Sequence, residues 1–125
     1  QPRCLSMSSK SIRVKYSPVF DEQLVELKTS IKNSNIKFHK QLLKAIEREI
    51  EYLKNNPHRG IQIPKDRIPQ TYIAKYGVTN LWKINLPSYF RMVYTIVGNE
   101  FKIISILLEF MNHKEYNKIF GYRDR

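Results

Sequence analysis

Two cations in the last third of the sequence lie where they could act together. Lys83 alternates with apolar residues, and Arg91 follows after the turn-forming pair Pro87-Ser88. If the two segments are adjacent strands and the cations share a face, they come within cross-strand reach. Such a pair suits an anionic partner, because guanidinium groups fork onto phosphate oxygens and stabilise developing negative charge. Solvated surface charge is the alternative interpretation.

A second group of polar residues lies near the carboxyl end, from Asn112 to Tyr116 (NHKEY). His113 and Tyr116 are three residues apart and would share one face of a helix. Histidine exchanges a proton near neutral pH, and tyrosine does so if cations lower its pKa. Such groups could cleave RNA without metal, by removing the 2′-OH proton and protonating the leaving 5′-oxygen. Ordinary surface residues have the same pattern.

Other catalytic classes lack the residues that they need. The sequence has no Gly-rich phosphate loop and no Gly-x-Ser-x-Gly turn, and its three histidines are not at metal-ligand spacing. A Mg²⁺ site needs carboxylates close together. Those of the second half are scattered: Asp66, Glu100, Glu109, Glu115 and Asp124. We therefore expect no metal and no small-molecule cofactor.

The composition is that of a small basic protein. The chain has 125 residues, and its 22 Lys+Arg against 11 Asp+Glu give a net charge of +11. This favours a polyanionic partner such as nucleic acid or an acidic protein, although a merely lysine-rich protein is the alternative. A single cysteine excludes an internal disulfide and suits the cytoplasm. The longest apolar run, 103–108, is far below the roughly 20 residues that span a bilayer.

The first half of the chain predicts a strand and a helical hairpin after a disordered segment, 1–10. Residues Ser11–Tyr16 alternate as a half-buried strand does. Ser17 is a suitable N-cap before Pro18, and an amphipathic helix follows. The turn at 33–35 leads into a second helix that ends before Pro57. We expect 11–125 to form one domain.

The segment from His58 to Asn80 shows no sustained period and is predicted to be a long loop. It is either functional or a mobile insertion. The predicted RNA contacts are the basic residues of this segment together with Asn85 from the next strand: Arg59, Lys65, Arg67, Lys75 and Asn85. Its aromatic residues Tyr72 and Tyr76 are candidates for base stacking.

The second half predicts three strands and a short helix. The strands are Leu81–Leu86, Tyr89–Val97 and Phe101–Phe110, the last apolar enough to lie inside a sheet. Asn112 and Glu115 resemble a capping box, and Gly121 would end the helix after Phe120. The order β-α-α-β-β-β-α predicts an α+β domain with an antiparallel sheet. The helical hairpin would cover one sheet face and leave the other open.

Three segments together resemble the RelE/ParE toxin superfamily. They are Leu81–Leu86 (LWKINL), Tyr89–Tyr94 (YFRMVY) and Phe110–Phe120 (FMNHKEYNKIF). The resemblance extends from about Arg13 to Phe120, and the superfamily's order of elements agrees with the one predicted here. It implies a small RelE-like toxin domain that is a ribosome-dependent endoribonuclease. The implied partners are the ribosome, its mRNA and an inhibitory acidic antitoxin.

The resemblance also implies roles for individual residues. Lys83 matches a cation beside the scissile phosphate, and Arg91 matches an arginine that stabilises the transition state. His113, Lys114 and Tyr116 match a terminal segment that supplies acid and base groups. Some members have a second lysine at the position of Asn85, or an arginine-dense tail instead of His113-Lys114. The general base is therefore either Tyr116 or His113.

The sequence as a whole thus predicts a cytoplasmic, metal-independent mRNA endoribonuclease of a toxin–antitoxin system. Two alternatives stay open. One is a ParE-like poison of DNA gyrase, which shares the fold and usually lacks the catalytic residues. The other is a non-catalytic nucleic-acid-binding domain that uses the same cations for phosphate contacts.

Overall fold

The structure is a computed structural model that describes residues 11–121. The predicted disorder of 1–10 lies outside the described residues. The helices are α1 (Pro18–Ser34), α2 (Lys37–Leu53), α3 (Gln70–Tyr76) and α4 (His113–Phe120). The strands are β1 (Ser11–Tyr16), β2 (Ile61–Gln62), β3 (Trp82–Leu86), β4 (Phe90–Gly98) and β5 (Lys102–Asn112).

The five strands form one sheet in the order β1-β5-β4-β3-β2. The α+β class is confirmed, and β5 has a strand on either side, as its apolar run predicted. The sheet is not wholly antiparallel, because β1 runs parallel to β5 while all other pairs are antiparallel. The chain reverses direction at each step from β2 to β5. Strands β3 and β5 therefore run in one direction, which is also the direction of β1.

The helical hairpin α1–α2 covers one face of the sheet, as predicted. Ser17 caps α1, and its hydroxyl accepts a hydrogen bond from the Phe20 amide at 3.0 Å. The core between the hairpin and the sheet is aliphatic and aromatic. Its buried helix residues are Phe20, Leu24, Leu27, Leu42, Ala45, Ile46, Ile50 and Leu53, and its buried strand residues are Ile84, Leu86, Met92, Tyr94, Leu107 and Phe110.

The opposite face is partly covered, so the prediction that it would be left open was wrong. The segment predicted to be a loop contains β2, a 3₁₀ turn at Lys65–Arg67 and the helix α3. With α4, it covers part of this face and forms a second core. The buried members of this second core are Ile63, Tyr72, Val78, Leu81, Val93, Leu108, Met111, Tyr116 and Phe120. The segment shows no period because its apolar residues belong to several short elements.

One side chain closes an open strand edge. The partner β1 ends opposite Leu107, so the rest of β5 has no neighbouring strand on that side. There the Gln23 side chain on α1 donates to the Phe110 carbonyl and accepts from the Phe110 amide, both at 2.9 Å. The Gln23 amide thus makes the two bonds that a backbone neighbour would make.

We expect Gln23→Leu to lower the free energy of unfolding by about 1–3 kcal/mol, because two buried backbone groups lose their partner. Urea titration followed by circular dichroism measures this. The matched control is Gln41→Leu, at an exposed position of α2, which should leave the urea midpoint unchanged. Equal midpoints for Gln23→Leu and wild type would contradict the role given to this amide.

Candidate functional site

The predicted cations share the sheet face that carries the second core. In β3, Ile84 and Leu86 point into the hairpin core. The alternating residues Lys83 and Asn85 therefore point to the opposite face. Lys83 pairs in register with Val93, and Asn85 pairs with Arg91. The short turn between β3 and β4 thus brings Lys83 and Arg91 to neighbouring positions on one face, as the sequence predicted.

The ring of Tyr116 lies beneath both cations. The Lys83 ammonium nitrogen is 5.1 Å from the ring centroid, and the central carbon of the Arg91 guanidinium is 5.9 Å from it. These are cation–π distances. Tyr116 is only 2% exposed, and its ring stacks on Phe120 with centroids 4.3 Å apart. Helix α4 therefore supplies an aromatic floor to the site.

The electrostatics of this cation cluster, Lys83 and Arg91, favour a bound anion. Burial lowers the pKa of Lys83, and the neighbouring Arg91 lowers it further. Arg91 donates one guanidinium bond, to the Phe90 carbonyl at 3.2 Å. Its Nε atom is buried and has no hydrogen-bond partner among residues 11–121. Buried donors in proteins are nearly always bonded. The Nε–H of Arg91 is therefore an unused donor, from which an oxygen atom of an anion could accept a hydrogen bond.

The terminal segment contributes residues in two different environments. Asn112 caps α4, its side chain accepting from the Glu115 amide at 2.9 Å, and the helix ends at Gly121, as predicted. His113 is half-buried, and Lys114 is exposed. The prediction grouped His113 with Tyr116, but only His113 is accessible, because Tyr116 packs inward against the second core.

Two of the predicted RNA contacts are engaged in ion pairs. Arg59 donates to Glu49, with Nη2 3.1 Å from the carboxylate oxygen, and its guanidinium lies 4.0 Å from the Tyr52 ring centroid. Lys75 is 3.4 Å from Glu109. The structure does not place either in the cation cluster. Lys65 and Arg67 are exposed on the 3₁₀ turn, and Asn85 is exposed beside Arg91.

The tyrosines predicted to stack on bases are instead structural. Tyr72 is 4% exposed, and Tyr76 donates its hydroxyl proton to Glu109 at 2.5 Å. Burial raises the pKa of both phenols above the ordinary tyrosine value. The aromatic residue that the sequence reasoning missed is Tyr89. It is 69% exposed, and its ring centroid lies 5.4 Å from that of His113. Its position in the turn between the two cation-bearing strands was the available clue.

The segment before β2 is tied tightly beside Lys83. Tyr94 donates its hydroxyl proton to the Pro57 carbonyl at 2.7 Å and accepts from the Gly60 amide at 3.0 Å. A side chain at Gly60 would lie 2.6 Å from the Lys83 carbonyl oxygen, so only glycine fits. A polar groove of about 220 Å³ runs along this edge, lined by Arg59, Gly60, Lys83 and Asn85 among others.

A comparison with protein families identifies the group to which this chain is related. The family model of the ParE toxins of type II toxin–antitoxin systems, parDE, matches residues 14–113. The chain belongs to this family. A type II toxin implies a cognate antitoxin as its partner. A comparison with curated proteins finds no significant match.

The residues matched by the ParE family model include Lys83 and Arg91 of the cation cluster and end before Tyr116. Within residues 11–121, no helix is long and apolar enough to cross a membrane. The same residues contain no group of three potential metal ligands among His, Cys, Asp and Glu.

Proposed function

We propose that this ParE-family toxin is an endoribonuclease of the RelE kind that cleaves mRNA on the ribosome without metal. The observation that carries the proposal is the buried Nε of Arg91, beside Lys83 and above the Tyr116 ring. A phosphate diester there would accept from Arg91 and neutralise two neighbouring cations at once. The net charge of +11 favours association with RNA.

Each residue around the cation cluster can be assigned a separate role in the cleavage reaction. His113, the accessible one of the two general bases predicted from the sequence, would take the proton from the ribose 2′-hydroxyl. The 2′-oxygen then attacks the phosphorus, and Arg91 stabilises the charge that develops on the phosphoryl oxygens. As the bond from phosphorus to the 5′-oxygen breaks, the Lys83 ammonium would protonate that oxygen. The products are a 2′,3′-cyclic phosphate and a 5′-hydroxyl.

This assignment keeps only one of the two general bases predicted from the sequence. Tyr116 was a candidate general base, but its ring is buried and stacked on Phe120. We assign it to the floor of the site, where it holds the two cations at cation–π distance. Lys114, exposed at the start of α4, would steer the RNA backbone. The acidic antitoxin would inhibit by covering this basic surface.

Primer extension on an mRNA in a purified translation system tests the proposal. We expect cleavage within codons that requires ribosomes and leaves a 2′,3′-cyclic phosphate and a 5′-hydroxyl, because the attacking oxygen is the neighbouring 2′-hydroxyl and not a water molecule. A 2′-deoxynucleotide at the cleavage position should abolish the cut, since the attacking oxygen is missing. Ribosome-independent cleavage, or cleavage at the 2′-deoxy position, would contradict the mechanism.

Poisoning of DNA gyrase is the second candidate function, favoured by the family match to the ParE toxins. A gyrase supercoiling assay on plasmid DNA separates the two. Inhibited supercoiling with intact mRNA would support the gyrase poison. Salt-sensitive RNA binding with neither activity would indicate a binding domain.

A further inference from the structure

The turn between β3 and β4 holds its residues in an unusual backbone conformation. Ser88 has φ 58° and Tyr89 has φ 64°, both in the left-handed region that favours glycine. Asn35 is the third non-glycine residue among 11–121 with positive φ, and it ends a helix, where asparagine is well tolerated. Left-handed conformations of other residues cost free energy and concentrate at binding sites.

This conformation presents a large aromatic ring to solvent beside the cation cluster. Tyr89 is 69% exposed, so it adds little to either core. The His113 ring contacts it edge-on, at an interplanar angle of 60°. Tyr89 precedes Arg91 by two residues, roughly 7 Å along an extended chain. A ring at this distance is within reach of a base whose phosphate contacts Arg91.

We propose that Tyr89 is a stacking platform for one base of single-stranded RNA, next to the phosphate held by Arg91 and Lys83. The inference rests on the proposed function and adds a base-binding subsite to it. Exposed aromatic rings beside phosphate-binding cations are how proteins bind single strands without a strict sequence requirement. The His113 ring packs at an angle beside that of Tyr89, and the 69% exposure of Tyr89 leaves surface for the base.

The test uses an eight-nucleotide single-stranded DNA, which lacks 2′-hydroxyls and is not cleaved, with one 2-aminopurine moved along it. Stacking quenches this fluorophore. We expect quenching by the wild-type toxin at one position and about 10- to 100-fold weaker binding by Tyr89→Leu. Tyr89→Phe should bind and quench like wild type. The matched control is Phe101→Leu, at a residue 70% exposed beyond the far end of β4, which should also behave like wild type.

Salt dependence separates this inference from the proposed function. Arg91→Gln should lower the slope of log affinity against log salt by about one phosphate contact, whereas Tyr89→Leu should leave the slope unchanged. If Tyr89→Leu binds like wild type while Arg91→Gln binds more weakly, the stacking subsite is wrong and the phosphate site stands. If Tyr89→Leu and Phe101→Leu lose affinity for the oligonucleotide equally, the subsite is also wrong. If the wild type does not bind, or Arg91→Gln binds equally well, the proposed function fails too.

Discussion

Arg91→Gln is expected to lower the rate of mRNA cleavage by about 100- to 1,000-fold, the cost of removing one donor to a developing negative charge. Glutamine keeps a polar side chain of moderate length but removes the guanidinium that lies above Tyr116. The fold should change little, since within residues 11–121 the Nε of Arg91 has no partner to lose and the guanidinium donates one bond, to the carbonyl of the adjacent Phe90. Single-turnover cleavage on programmed ribosomes gives the rate, and thermal unfolding gives the stability.

The matched control for this variant is Arg48→Gln, which removes one positive charge at an exposed position of α2. It should keep the full cleavage rate, so that the effect of Arg91 cannot be ascribed to net charge alone. A toxin that still cleaves at the wild-type rate with glutamine at 91 would refute the proposed role of the cluster.

Lys83→Met is expected to lower the cleavage rate by about 100-fold or more and, at the same time, to raise the melting temperature. The two effects have one origin. Burial and the nearby Arg91 lower the pKa of Lys83, so its charge destabilises the folded state near neutral pH. Methionine has a similar length and no charge. Lys44→Met, at an exposed position of α2, is the control and should change neither quantity.

The sign of the pH dependence follows from the same lowered pKa. Above the folded-state pKa, Lys83 is neutral in the folded protein, while the unfolded chain still binds the proton up to about the ordinary value of 10.5. The free energy of unfolding of the wild type therefore increases as pH rises through this window, and the difference in stability between Lys83→Met and wild type becomes smaller. Urea unfolding of both proteins at several pH values measures the difference. A methionine variant that melts below wild type at neutral pH would argue against a destabilising charge.

The parts of the fold that the sequence predicted are those with a sustained period or a strong cap. The strand β1, the two long helices and the three later strands repeat their apolar residues over at least two turns or two alternations. Ser17 and Asn112 cap their helices through side-chain oxygens, as their residue types indicated. The shared face of Lys83 and Arg91 also follows from local pattern, because alternation and a short turn determine it.

The remaining features depend on tertiary contacts and could not be predicted locally. A two-residue strand such as β2 is too short to show alternation, and contacts such as the bond from the Gly60 amide to the Tyr94 hydroxyl place it beside β3. The burial of Tyr116 depends on how α4 packs, which spacing within the helix does not reveal. The exposed ring of Tyr89 depends on a left-handed backbone at two residues that rarely adopt it.

The parallel pair β1–β5 has a consequence for how the toxin is made. It joins the first described strand to the last, and the bond from Ser17 to Leu108 spans 91 positions of the chain. Contacts of such sequence separation form slowly, because a long loop must close first. During synthesis, β5 and α4 leave the ribosome after the other described elements. The nascent chain therefore completes its sheet, and the aromatic floor beneath Lys83 and Arg91, only after all its other described elements have been synthesised.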